Sequence, residues 1–166
     1  EVDGELVEIL DVERILNEIS PVSTEVSTEL VEASVERNPH GRPVLVADDS
    51  SVARKQVQRA LEAIGVQCVL AKDGREALNM LLEMSKNGPI HDQIALVISD
   101  IEMPEMDGYT FTAEIRNNPN LKDLHVILHT SLSGVFNQAM VQKVGANNFI
   151  AKFQPDELAK AVQGAL

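Results

Sequence analysis

Asp48-Asp49, Asp100, Thr130-Ser131 and Lys152 are the residues whose types and spacing point to chemistry. Three carboxylates held within a few ångströms repel one another, and at least one pKa rises unless a cation sits among them. Hard oxygen ligands that leave room for water suit Mg²⁺ or Mn²⁺. A lysine ammonium is a compact charge for a phosphate oxygen, and a threonine hydroxyl can donate to the same oxygen. Such a set forms an electrostatic clamp for a phosphoryl group, with one carboxylate as nucleophile and an aspartyl-phosphate as product. Taken singly, each group has a plainer role. Paired aspartates cap helices, threonine serves turns, and a lone lysine is a surface cation. The chemistry depends on the fold bringing them together.

The elements that would do so are legible. Val44-Leu45-Val46-Ala47 reads as a strand buried on both faces. Ser50 or Ser51 caps a helix carrying Val52, Val57, Ala60, Leu61 and Ile64, stopped by Gly65. Val66 to Ala71 is the second predicted strand, and a helix through Ala77, Leu78, Leu81 and Leu82 ends near Asn87-Gly88-Pro89. Ile94 to Ile98 is the third strand, and a helix through Phe111 and Ile115 follows Asp107-Gly108. Val126 to Leu128 is the fourth strand, followed by a helix capped by Ser133, running through Met140 and Val144 and stopped by Gly145. Asn148 to Ala151 is the fifth, and Pro155 opens the last helix with Asp156 and Glu157 in its first turn. Five strands alternating with five helices predict an α/β fold with a doubly wound parallel sheet. Its site lies at the carboxyl ends of the strands. Asp48-Asp49, Asp100, Thr130-Ser131 and Lys152 each follow one of those ends. Asp100, after the central strand, is the expected nucleophile.

Composition narrows the function classes. The chain has 166 residues, a net charge of −12, 3% aromatic residues and no Trp, so its core is aliphatic. Residues 1–40 hold eleven acidic and two basic side chains, a net of −9, which leaves −3 for the remainder. Such acidity argues against binding a phosphate backbone. The single cysteine, Cys68, excludes an intrachain disulfide framework and reads as a small buried hydrophobe. No apolar run reaches the ~18 residues of a membrane span, and a cytoplasmic setting is expected. Residues 1–20 show partial helical spacing before Ser20-Pro21, and residues 21–41 have the composition of a flexible acidic linker. Met103 and Met106 read as packing residues, and His91, His125 and His129 show no metal-ligand spacing.

Three segments then resemble a known family. They are Val44 to Ser50, the Asp-x-x-Met-Pro-x-Met-Asp-Gly run from Asp100 to Gly108, and His129-Thr130-Ser131, joined by Lys152. Together they resemble the bacterial response-regulator receiver domain, a flavodoxin/CheY-like (βα)5 fold, over residues 42–166. Thr130 and Lys152 follow Asp100 by the 30 and 52 residues that the family shows. Leu128 to Asn137 and Ala151 to Leu158 are similar to the receiver half of the CheV family of chemotaxis coupling proteins. Residues 8–19 resemble the end of the CheW-like domain that precedes it, so residues 1–20 are expected to be a remnant of such a domain.

The resemblance implies that Asp100 accepts a phosphoryl group from a histidine kinase, CheA, and that chemoreceptors are reached through the CheW-like domain. Mg²⁺ would be held by Asp49, Asp100 and the main-chain carbonyl of Glu102, with Asp48 acting through water. Lys152 and Thr130 would hold phosphate oxygens, the main chain at Glu102 and Ser131 would touch the phosphate, and Phe149 would be the aromatic switch. Phe153 stands where most receivers have proline, which implies a trans bond and an altered loop. Phe149 lacks a hydroxyl, so a switch there works by packing. Glu102 adds a carboxylate beside the site. Two alternatives stay open at this point: an inert receiver-shaped scaffold, and an aspartate-nucleophile phosphatase. The second needs an aspartate two residues after the nucleophile, where this chain has Glu102.

Overall fold

The computed structural model describes residues 38, 40–131, 139, 142–152 and 154–166. The expectations for residues 1–37, for the helix start at Ser133 and for Phe153 lie outside the described residues. Five strands form one parallel sheet: β1 (Val44–Ala47), β2 (Cys68–Ala71), β3 (Val97–Ser99), β4 (Val126–Thr130) and β5 (Asn148–Ala151), in the order β2-β1-β3-β4-β5. Helices α1 (Ser51–Ala63), α2 (Gly74–Lys86), α3 (Ile90–Gln93), α4 (Gly108–Asn117) and α5 (Pro155–Ala165) are distributed over its two faces. Residues 142–144 are also helical and end at Gly145, whose φ of 79° is the left-handed stop expected there.

Alternation along β1 divides the core. Leu45 and Ala47 face α2 and α4, joining Leu81, Phe111 and Ile115, while Val44 and Val46 face α1 and α5, joining Leu61, Leu158 and Val162. This is the doubly wound arrangement expected from the sequence. The strand order reverses between β1 and β3, so a crevice opens at their carboxyl ends.

Several boundaries differ from expectation, each for a local reason. Val66 does not begin β2. Gly65, at φ 75°, turns the chain so that its amide donates to Glu62 and the Val66 amide to Leu61, and buried Val66 seals the end of α1. The third predicted strand began at Ile94, but that residue closes the short helix α3, which the sequence reading missed, and β3 starts at Val97. β4 runs two residues further than expected, so Thr130 is the last residue of the strand. Val52, one of the apolar residues named for this helix, is 43% exposed. Cys68 lies half-buried on the edge strand β2, where burial and the nearby Glu62 charge push its thiol up to about 12, leaving it inert.

Candidate functional site

The carboxyl ends of β1, β3 and β5 bring three aspartates and a lysine together. β1 carries the chain into Asp48, which is 1% exposed. Its amide donates to Ala71 across the sheet edge, and its Oδ1 accepts the Ser50 amide at 2.9 Å. Ser50 is the N-cap of α1, its hydroxyl accepting from the Ala53 amide. One turn therefore starts the helix and fixes the first carboxylate. Losing a cap of this kind costs about 1 kcal/mol.

β3 ends at Ser99 and delivers Asp100, which is 5% exposed, to the middle of the edge. The Asp100 amide donates to Ala47 at 2.8 Å, its Oδ1 accepts the Ile101 amide at 2.7 Å, and its carbonyl accepts the Ser99 hydroxyl at 2.8 Å. The loop after it closes on itself through the Gly108 amide, which donates to Ile101 at 2.8 Å. A Cβ at Gly108 would stand 2.1 Å from the Asp100 carbonyl oxygen, so only glycine lets α4 start this close to the strand. Asp107 caps that helix, accepting the Thr110 amide and hydroxyl.

Lys152 crosses from β5 to the carboxylates. Its amide donates to Thr130 at 2.8 Å, and its ammonium donates to Asp100 Oδ2 at 2.9 Å. The same ammonium is 2.9 Å from Asp48 Oδ2 as an ion pair, yet that buried oxygen accepts no hydrogen bond of good angle. Burial alone would lower the Lys152 pKa, but its contacts with Asp100 and Asp48 outweigh this and hold it above the ordinary lysine value. Burial pushes the Asp48 carboxyl up. The nearby Asp100 charge adds to the rise, while Lys152 and the Ser50 amide oppose it. One ammonium thus only partly relieves the crowding among the carboxylates.

Asp49 is exposed, outside both β1 and α1. Asp48, Asp49 and Asp100 each place an oxygen so that all three lie within 4.8 Å of one another. A set of oxygen donors, one of them buried without a hydrogen bond, fits a hard divalent cation. Thr130 is fully buried at the end of β4. Ser131 and Glu102 are exposed at the rim. Among the described residues, Phe149 is half-buried against Ile101, Leu128, Tyr109, Val144 and Ala146.

Two residues of this region were passed over in the sequence. Arg54 donates from its guanidinium to the Asp48 carbonyl. His129, which was given no role, is buried on β4. Burial, aided by the Lys152 charge, holds its imidazole down at about 4, so it is neutral at physiological pH. The apolar run Val126-Ile127-Leu128 signalled that burial, whereas nothing in the sequence announced the arginine contact.

Comparison with known proteins agrees with this geometry. The chain is 29% identical to the chemotaxis protein CheV1 of Helicobacter pylori over 162 residues, covering 97% of this chain and 49% of that protein. The chain therefore spans about half the length of that relative. Among solved structures, chemotaxis protein CheY4 of Vibrio cholerae superposes with a TM-score of 0.66 at 29% identity, covering 75% of this chain and 98% of that one. The Mn²⁺-bound form of response regulator Rcp1 gives 0.60 at 25% identity, covering 74% and 90%. The family model of the response regulator receiver domain matches residues 44–163, a span that takes in every strand and the whole carboxylate cluster, and the chain belongs to that family.

Proposed function

We propose that this chain is the phosphoacceptor part of a CheV-like chemotaxis coupling protein, with Asp100 taking a phosphoryl group from a histidine kinase of the CheA type. The observation that carries the reading is the convergence of Asp48, Asp49 and Asp100 on one edge with the Lys152 ammonium among them. Asp49, Asp100 and the main chain at Glu102 would hold Mg²⁺ or Mn²⁺, with Asp48 steadying the ion through water. Bound there, the ion would neutralise the carboxylates and the incoming phosphoryl oxygens.

The chain's own groups do the rest. Asp100 sits at the end of the central strand with one oxygen fixed by the Ile101 amide, so its nucleophilic oxygen is oriented before the donor arrives. Lys152 is already charged and within reach of that carboxylate, ready to pair with a phosphate oxygen. Thr130, at the end of the neighbouring strand, offers a hydroxyl to another oxygen, and the exposed residues Ser131 and Glu102 would meet the phosphate through their main chain. Phe149 would follow the threonine inward, by packing alone because it has no hydroxyl. The aligned span in CheV1 supports the coupling role, since it includes the residues ahead of the receiver as well as the receiver itself. On this reading the N-terminal 20 residues end a CheW-like domain that contacts chemoreceptors, residues 21–41 are its tether, and the protein works in the cytoplasm. No helix among the described residues is long and apolar enough to cross a membrane.

Acetyl phosphate with Mg²⁺, followed by intact-mass measurement, should add one phosphoryl group to the native chain and none to Asp100→Asn. An unmodified native chain would leave an inert scaffold. Rapid multiple turnover of free phosphate esters would favour a phosphatase.

A further inference from the structure

Asp48 is held at nearly every polar atom. Its amide donates to Ala71 at 3.2 Å, its Oδ1 accepts from the Ser50 amide at 2.9 Å, and its carbonyl accepts from Nη1 of Arg54. Arg54 is half-buried in the first turn of α1, where its own amide donates to Ser50 at 3.0 Å. The helix that Ser50 starts therefore carries the arginine that grips Asp48, two residues ahead of that cap. That carbonyl belongs to the peptide group joining Asp48 to Asp49, and Asp49 lies in neither strand nor helix. The orientation of this single peptide plane sets where the exposed Asp49 carboxylate hangs relative to Asp48 and Asp100.

We propose that Arg54 is a positioning residue for the divalent cation, acting through the Asp48–Asp49 peptide rather than by touching the ion. The proposal rests on the reading of the three aspartates as a cation site and adds a residue outside the carboxylate set to it. The sign of its effect separates geometry from charge. A guanidinium near the pocket repels a cation, so a purely electrostatic arginine would bind Mg²⁺ more tightly once removed. A positioning arginine would bind it more weakly, because the Asp49 carboxylate loses its place. Arginine suits the task because its planar fork fixes an acceptor in direction as well as distance, which a lysine ammonium does not.

The test is calorimetric Mg²⁺ titration of the full chain and of Arg54→Ala and Arg54→Lys at constant ionic strength, with melting temperatures taken in EDTA. Arg54→Ala should raise the Mg²⁺ Kd about tenfold, the scale typical of losing a group that orients a metal ligand. Arg54→Lys, which keeps the charge, should also bind more weakly than the native chain, and both variants should melt in EDTA close to the native temperature. Unchanged or tighter binding in Arg54→Ala overturns the proposal. So does a loss of affinity that tracks a fall in the EDTA melting temperature in both variants, since that is a general structural role. A native chain that binds no Mg²⁺ removes the cation site itself, an outcome distinct from either.

Discussion

The carboxylate side and the Phe149 side of the same sheet edge rest on different foundations. Asp48 and Asp100 extend from β1 and β3, whose residues are buried on both faces by complete layers: Phe111, Ile115 and Leu81 on one side, Leu61 and Val162 on the other. Among the described residues, the Phe149 side has a cluster in which Ile101 and Leu128 are buried, while Tyr109, Val144, Ala146 and Phe149 keep part of their surface in water. Stability is distributed along a chain according to such differences in burial. Groups that must hold charge in register occupy the saturated part. The aromatic proposed to move is itself only partly buried.

Four changes would break or sharpen this contrast. Phe111→Ala, in the saturated layer, should lower unfolding stability by about 3–5 kcal/mol in urea titration. A loss near 1 kcal/mol would mean that the carboxylate side is no firmer than its neighbour.

His129 tests how far the firm region reaches along β4. Its folded pKa of about 4 lies below the ordinary 6.5, so between those values the unfolded chain takes up a proton that the folded chain refuses. The stability due to this group is complete above pH 6.5 and is lost as pH falls toward 4, by at most about 3 kcal/mol. Urea titrations at pH 7 and pH 4.5 should show a smaller drop in His129→Gln than in the native chain. Equal drops would place His129 in contact with water.

Gly108→Ala forces a methyl against the Asp100 carbonyl and should cost about 1–3 kcal/mol by thermal melting, as overpacking does. It should also slow phosphorylation at Asp100. Normal phosphorylation with reduced stability would separate the loop's closure from the site.

The smallest effect belongs to Phe149→Ala. Half-buried, it should cost less than about 1.5 kcal/mol, with phosphorylation by acetyl phosphate retained. A cost comparable to that of Phe111→Ala would erase the contrast.

The carboxylate cluster was legible in the sequence because it needs only strand ends and a parallel order. Each group follows an apolar run, and a parallel sheet puts all such ends on one edge. The three aspartates and Lys152 were found this way, and the structure brings them together. What escaped depends on contacts without a pattern. Arg54 reaches a main-chain carbonyl, and any residue at position 48 has one. Val52 is one of the apolar residues of α1, yet the buried face of that helix is set by Ala53, Val57, Ala60 and Leu61, and Val52 falls off that stripe. Val66 is apolar and buried as a strand residue would be, but its burial seals a helix end. Short extended segments and helix terminators share the same apolar signal, so only the left-handed turn at Gly65 tells them apart.

The double pairing of Lys152 also governs its reactivity. Amine chemistry, from enzymatic acylation to reductive methylation, requires an uncharged nitrogen that a reagent can approach. The Lys152 side chain is 8% exposed and its ammonium is held between two carboxylates that favour the proton. Exposed Lys55, Lys72 and Lys122 stand open to such reagents, whereas burial and the pairing with Asp48 and Asp100 disfavour the uncharged Lys152 amine they need. The lysine proposed to hold a phosphate oxygen is thereby guarded against the modification most common to its kind.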